Sequence, residues 1–313
     1  MAVFTHVKQQ DIQSLLEKFS IGDFKSLEGI QGGIENTNYF LTTSKNSYVL
    51  TIFERLDFEQ LPFYLEVMSH LAKNNILVPL PIADNKNRIL FELYGKPAAI
   101  VSKLEGKSDL KPNTEQIKSI AYEMAKMHLT SNNFAMYQPN LRSLDWWQTT
   151  IPNILDCVTL EEKKLLTSEL AILSQFFNSI TYKNLPQGIC HCDLFRDNAL
   201  FVGNKLGGIF DFYFAGIDKF LFDICVAIND WCINYETKLI NKDLFNEFIN
   251  AYNTIRPLTS SEQEAMPLML RASAFRFWVS RLWDWYLPRE SKLLTPHNPQ
   301  HFEKILNHRI NNK

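Results

Sequence analysis

The sequence lacks an excess of either charge: 32 lysines and arginines stand against 34 aspartates and glutamates among 313 residues, a net charge of −2. That balance excludes a protein whose affinity comes from neutralising many phosphates along a nucleic acid, while leaving room for one local anion site. Cysteine is scarce and odd in number, with five residues at 157, 190, 192, 225 and 232. An odd set placed largely in apolar runs excludes a disulfide framework and fits reduced, buried thiols. Cys190-x-Cys192 has no second pair, so the usual four-ligand zinc site is not indicated. No apolar run reaches membrane-spanning length, and the opening MAVFTHVKQQDIQSLLEKF has no signal-peptide stretch, so the expected location is cytoplasmic, with no membrane or nucleic-acid partner. Repeats and low-complexity tracts are also missing. What is present is core material: 46% apolar residues and 13% aromatic, against 21% charged, enough for one large or two modest cores.

Ile12, Leu15, Leu16 and Phe19 recur at i, i+3, i+4 and i+7, which predicts an opening amphipathic helix over 7–19. Strands are expected at 24–30, 37–43 and 47–53, then a helix over 60–74, then strands at 88–93 and 96–102 joined at Tyr94-Gly95. Beyond Lys103-Leu104-Glu105-Gly106 helical periodicity dominates, at 117–129, 143–157, 160–179, 219–233, 242–253, 261–286 and 299–309, interrupted only by a strand-and-turn region around 187–212. The expected fold class is therefore α+β, with a mainly β domain over 1–103 and a mainly α domain over 104–313. A cleft between two such lobes is a natural place for a ligand.

The richest chemistry lies in His191-Cys192-Asp193-Leu194-Phe195-Arg196-Asp197-Asn198, followed by an apolar hairpin and Gly208-Ile209-Phe210-Asp211-Phe212. The form is H-x-D-x4-N, hairpin, D-F. Phosphoryl transfer needs a carboxylate to orient a hydroxyl and take its proton, and oxygen ligands for the magnesium that bridges the phosphates. Asp193 is the candidate base, with Asn198 and Asp211 the candidate Mg2+ ligands. Apolar segments on either side of Gly203-Asn204-Lys205 would return Asp211 to the side of Asn198, and His191 would hold the loop backbone. Asp and Asn also favour ordinary turns, the competing explanation for this stretch.

These residues resemble the catalytic and metal loops of the protein-kinase-like small-molecule kinases, the group that holds aminoglycoside phosphotransferases and choline kinases. Gly33-Ile34-Glu35-Asn36-Thr37-Asn38-Tyr39-Phe40, the 191–198 loop, Asp211-Phe212-Tyr213-Phe214-Ala215 and Asn229-Asp230-Trp231-Cys232 together resemble the bacterial homoserine kinases of that group, over about residues 20–290. The resemblance implies a two-lobed kinase fold and transfer of the ATP γ-phosphate to the hydroxyl of L-homoserine, on the route to threonine. It implies ATP at a loop containing Gly32, Gly33, Asn36 and Thr37, and at Ser102 and Leu104 where the lobes join. It implies a bracing role for Asp223. Two departures stand out: Cys192 occupies a position where glycine is usual, and Thr51 stands where related kinases carry a phosphate-binding lysine. Arg55 is a candidate to supply that charge; Glu66, where the lysine's partner would be, reads as a solvated helix residue.

Homoserine carries an ammonium and a carboxylate, so a selective pocket needs an acid and a base besides Asp193. Asp230 is the candidate for the ammonium. Arg276 and Arg281, in an aromatic helix, are the candidates for the carboxylate, because an unpaired guanidinium is costly there; internal pairing with Asp284 or Asp230 is the alternative. Choline, ethanolamine or aminoglycosides are alternative substrates, and the absent lysine motivates a non-catalytic nucleotide-binding reading.

Overall fold

The computed structural model describes residues 5–30, 36–287 and 296–311, and these form two compact units, one running to Glu105 and one starting at Gly106. The first opens with α1 (Gln9–Leu16), which turns Ile12, Leu15 and Leu16 inward. It is followed by β1 (Phe24–Gly29), β2 (Asn36–Thr43), β3 (Ser47–Phe53), α2 (Leu61–Lys73), β4 (Phe91–Leu93) and β5 (Lys96–Ser102). The strands make one antiparallel sheet in the order β1-β2-β3-β5-β4. Alternation places Tyr39, Leu41, Tyr48, Leu50 and Ile52 on the face that buries the apolar stripe of α1.

The second unit contains α3 (Thr114–Leu129), α4 (Leu144–Ile154), α5 (Leu160–Asn178), the single turn α6 (Ile180–Lys183) and β6 (Gln187–Cys190). Then come β7 (Ala199–Val202), β8 (Lys205–Ile209), β9 (Gly216–Lys219), α7 (Phe220–Trp231), α8 (Lys242–Asn253), α9 (Ser260–Tyr286) and α10 (Gln300–Ile310). Every residue of α7 is buried, as expected of a helix apolar on all sides. The middle of α9, from Ala272 to Val279, is likewise buried, and α9 packs on α4, α7 and α10. Gly106 opens the unit at φ +105°, so close to β7 that a Cβ would meet the Phe201 carbonyl oxygen at 2.4 Å. Only glycine lets the 106–107 segment exchange backbone hydrogen bonds between Lys107 and Phe201 there.

The mixed α+β class and its division into a sheet-rich first part and helical second part match the expectation. The differences are local. β4 starts at Phe91 rather than 88, because Asp84 binds both the backbone N–H and the guanidinium of Arg88 and holds that stretch as a turn. α3 begins at Thr114, where Asn113 and Gln116 form a capping box on a polar first turn that apolar periodicity does not register. β9 was not expected at all. Its four residues carry no alternating pattern and exist as a strand through pairing with β6. No helix among the described residues is long and apolar enough to cross a membrane.

Candidate active site

The loop from His191 to Asn198 is held by α7 at several points. Asp223, fully buried in the first turn of α7, accepts the backbone N–H groups of His191 at 2.9 Å and Cys192 at 2.8 Å, one on each carboxylate oxygen. Two turns later Asp230 engages Arg196, and the Trp231 indole N–H donates to the Leu194 carbonyl at 3.0 Å. Asp223 also accepts from His128 Nε2 at 3.1 Å. Burial by itself would raise the Asp223 pKa, but the His128 bond, the two histidine rings and the His191 backbone bond outweigh it and hold the carboxyl below its ordinary value. His191 is enclosed too. Its Nε2 donates to the Phe210 carbonyl at 2.9 Å, leaving Nδ1 to accept the Asp193 N–H at 3.2 Å, the neutral form that burial favours.

That scaffold sets the backbone of Asp193, which is half-buried. Asn198 donates its side-chain NH2 to the Asp193 carbonyl at 2.8 Å, with the same nitrogen 3.5 Å from Asp193 Oδ2. This leaves the amide oxygen of Asn198 with no hydrogen-bond donor among the described residues. β7 and β8 form the expected hairpin, Ala199 facing Ile209, and the Phe210 N–H donates to the Asn198 carbonyl at 3.0 Å. Asp211 therefore emerges next to Asn198, in a left-handed conformation at φ +66°. Cys192 is also left-handed, at φ +63°. The usual glycine at that position has a physical basis, and the cysteine accepts a strained backbone to fill it. Two carboxylates and an oriented amide oxygen form a hard-oxygen donor set, the kind that suits Mg2+ rather than a soft metal.

α9 supplies the charge opposite this loop. Arg276 is 4% exposed, its guanidinium 3.8 Å from the centroid of Phe277 and 5.2 Å from that of Phe214, in the turn after Asp211. Phe277 in turn packs on Phe195 of the catalytic loop with ring centroids 4.5 Å apart. Arg276 Nε has no hydrogen-bond partner among the described residues. Burial pushes the Arg276 pKa down to about 10, against the pull of Asp193. Arg281 lies elsewhere on the helix, its guanidinium 4.5 Å over Phe302 of α10 and Nη1 3.4 Å from the Asn298 carbonyl.

Several sequence expectations need correction. Asp230 is not an open acid for an ammonium, because Arg196 occupies both of its oxygens. Arg271, also on α9, pairs with Glu169. Asp218 lies in β9, where it accepts from Asn140 and Tyr182. In the first unit Thr37 is fully buried and donates its hydroxyl to Glu54 at 2.6 Å, so that hydroxyl is spent inside the unit. The N–H and hydroxyl of Ser102 are both taken up by Leu80. Asn36 and Leu104 are half-buried, whereas Gly32 and Gly33 fall outside the described residues. Thr51 is buried and donates to Asn38 at 2.7 Å across β2 and β3, Arg55 lies exposed beyond β3, and Glu66 is exposed on α2. Not anticipated from the sequence are the roles of His128 and Arg196 in holding the loop; the visible signal for Arg196 is its place inside the catalytic loop itself.

The phosphotransferase enzyme family model matches residues 26–258. A homoserine kinase of Burkholderia mallei (strain SAVP1) is 49% identical over 318 residues, covering 99% of this chain and 96% of that protein. Two solved structures share the fold at low identity. Amicoumacin kinase hAmiN in complex with AMP-PNP, Ca2+ and Ami is 13% identical with a TM-score of 0.73, covering 98% of this chain and 94% of that one. Choline kinase from Cryptosporidium parvum Iowa II is 14% identical with a TM-score of 0.68, covering 97% and 95%.

Proposed function

The chain belongs to the phosphotransferase enzyme family, and from that premise we propose that it transfers the γ-phosphate of ATP to the side-chain hydroxyl of L-homoserine, giving O-phosphohomoserine for threonine biosynthesis. The observation that carries the reading is the loop at 191–198, in which α7 fixes Asp193 next to Asn198 and Asp211. Asp193 orients the attacking hydroxyl and accepts its proton. Asn198, through its amide oxygen, and Asp211 would hold Mg2+, which neutralises charge on the phosphates when bound. Arg276 binds the substrate carboxylate: a buried guanidinium with an unpartnered Nε beside Asp193 calls for an anion at that place. Asn36 and the backbone at Leu104 are assigned to the nucleotide on the first unit.

Choline and ethanolamine have no carboxylate and would leave Arg276 unpaired, which favours an amino-acid substrate over those amines. The test is ADP release with homoserine, choline, ethanolamine and kanamycin in turn, for the intact protein and for Asp193→Asn. Homoserine alone should support release, and Asp193→Asn should lose about three orders of magnitude in kcat while keeping its affinity for ATP. No release with homoserine would overturn the substrate, and full activity in the variant would overturn the base.

A further inference from the structure

Phe195 is bonded through its backbone to both ends of the catalytic loop's chemistry. Its N–H donates to the Asp193 carbonyl at 2.8 Å, and its own carbonyl accepts the Asn198 N–H at 3.0 Å. Its ring meets α9 and α10 together, with the centroids of Phe277 and Phe302 at 4.5 Å and 5.8 Å. Those two rings stack on each other, 5.0 Å apart and 24° from parallel. Each also carries a guanidinium: Arg276 lies 3.8 Å from the Phe277 centroid, and Arg281 lies 4.5 Å from that of Phe302.

The loop, α9 and α10 are thus joined through one packed group, tied to Asp193 by the backbone of Phe195 and to Arg276 by the face of Phe277. Phe277 and Phe302 are 4% and 1% exposed, so neither ring has room to swing. α10 is held at its far end as well. Arg309 Nε donates to the side-chain oxygen of Asn229 on α7 at 2.9 Å, and Asn229 donates to the Leu270 carbonyl at 2.9 Å and to Ser273 Oγ at 2.8 Å, both on α9. Ahead of α10, Arg281 Nη1 reaches the Asn298 carbonyl at 3.4 Å, so Arg281 braces α9 against the start of that helix. Phe302 is therefore anchored by contacts that involve neither the loop nor Arg276. A guanidinium is drawn to the face of the ring beneath it, so the place of the Phe277 ring sets the place of Arg276.

We propose that Phe302 is a positioning residue: by backing Phe277 and Phe195 at once, it fixes the distance between Arg276, which takes the substrate carboxylate, and Asp193, which takes the hydroxyl proton. The inference rests on the amino-acid reading above and makes α10 part of the substrate site. A substrate that carries its carboxylate and its hydroxyl at a set separation depends on that distance, whereas an amino alcohol does not.

The experiment compares L-homoserine with 3-aminopropan-1-ol, which keeps the amine and the hydroxyl and lacks the carboxylate. KM for homoserine, the competition constant of 3-aminopropan-1-ol against homoserine, the affinity for ATP and the melting temperature are measured in the unaltered protein, Phe302→Leu, Phe195→Leu and Ile305→Ala. In Phe302→Leu the KM for homoserine should rise by about 3- to 30-fold, while the constants for 3-aminopropan-1-ol and ATP hold. Phe195→Leu removes a half-buried ring from the loop side of the same contact and should show the same split. Ile305, fully buried on α10, is the control: its truncation should lower the melting temperature at least as far and leave the KM for homoserine unchanged. An unchanged KM in Phe302→Leu and Phe195→Leu, a loss shared equally by homoserine and 3-aminopropan-1-ol, or the same rise in Ile305→Ala overturns the role of Phe302. If the unaltered protein does not phosphorylate homoserine, the failure belongs to the substrate reading instead.

Discussion

Asp230 and Arg196 are bound to each other three times over. The Asp230 carboxylate accepts the Arg196 backbone N–H at 2.9 Å, Nε at 3.0 Å and Nη2 at 3.1 Å. The remaining Nη1 donates to the Leu110 carbonyl at 2.9 Å, and the guanidinium lies 4.3 Å over Tyr235. The pair is almost completely enclosed, and it pins the turn that runs from Arg196 to Asn198 onto α7. An acid that resembled a substrate ligand in the sequence thus fixes the position of a metal-ligand candidate.

Removing Asp230 should act through that turn. Asp230→Ala leaves a buried guanidinium uncompensated, a loss of about 3–5 kcal/mol that thermal unfolding would detect. Activity should fall in kcat rather than in the KM for homoserine, since Asn198 is displaced and the substrate site is not. A normal melting temperature combined with a raised KM would restore Asp230 as the ammonium ligand.

Cys192 carries a left-handed backbone that glycine adopts without strain. Cys192→Gly gives up a small buried side chain and relieves a conformation that costs about 1–2 kcal/mol, so the two effects nearly cancel. Its unfolding free energy should stay within about 1 kcal/mol of the parent, with activity kept. Cys192→Val should lose more, because a β-branched residue tolerates that region poorly. Equal stability of the two variants, read by denaturant unfolding, would show that the backbone conformation has no such cost.

Stability should weaken as the solution turns acidic through the histidine range. Burial lowers the pKa of both His128 and His191 below the ordinary value. Below about pH 6.5 the unfolded chain therefore binds protons that the folded chain refuses. The contribution is complete above the unfolded pKa and is lost as pH falls toward the folded one, at up to about 1.4 kcal/mol per pH unit for each ring. Asp223, whose folded pKa is lowered, adds a second loss only below the carboxylate range. His128→Gln keeps a donor for Asp223 and an acceptor for Tyr252, and should flatten the slope between pH 7 and 5 by one proton. A slope identical to that of the parent would remove His128 from this account.

Much of the fold is legible in the sequence alone. The i, i+3, i+4 pattern found α1, alternation found β2 and β3, and H-x-D-x4-N with its hairpin brought Asp193, Asn198 and Asp211 into one neighbourhood, because each is a local relationship within a few residues or one turn. Those signals are written in the period of a helix, the period of a strand and the chemistry of a turn. The partners of the charged side chains were not legible. From the sequence alone Asp230 could meet Arg276, Arg281 or a ligand with equal ease, whereas its partner is Arg196. His128 and Asp223 lie far apart in the chain and bond within a core that neither segment builds alone. By itself the sequence determined most of the elements, the division of sheet from helix and the candidates for phosphoryl chemistry. Only the tertiary structure decided that Asp230 pairs with Arg196, which buried arginine has no ion pair among the described residues, and why a cysteine can stand at a left-handed turn, since burial and pairing depend on what packs from distant parts of the chain.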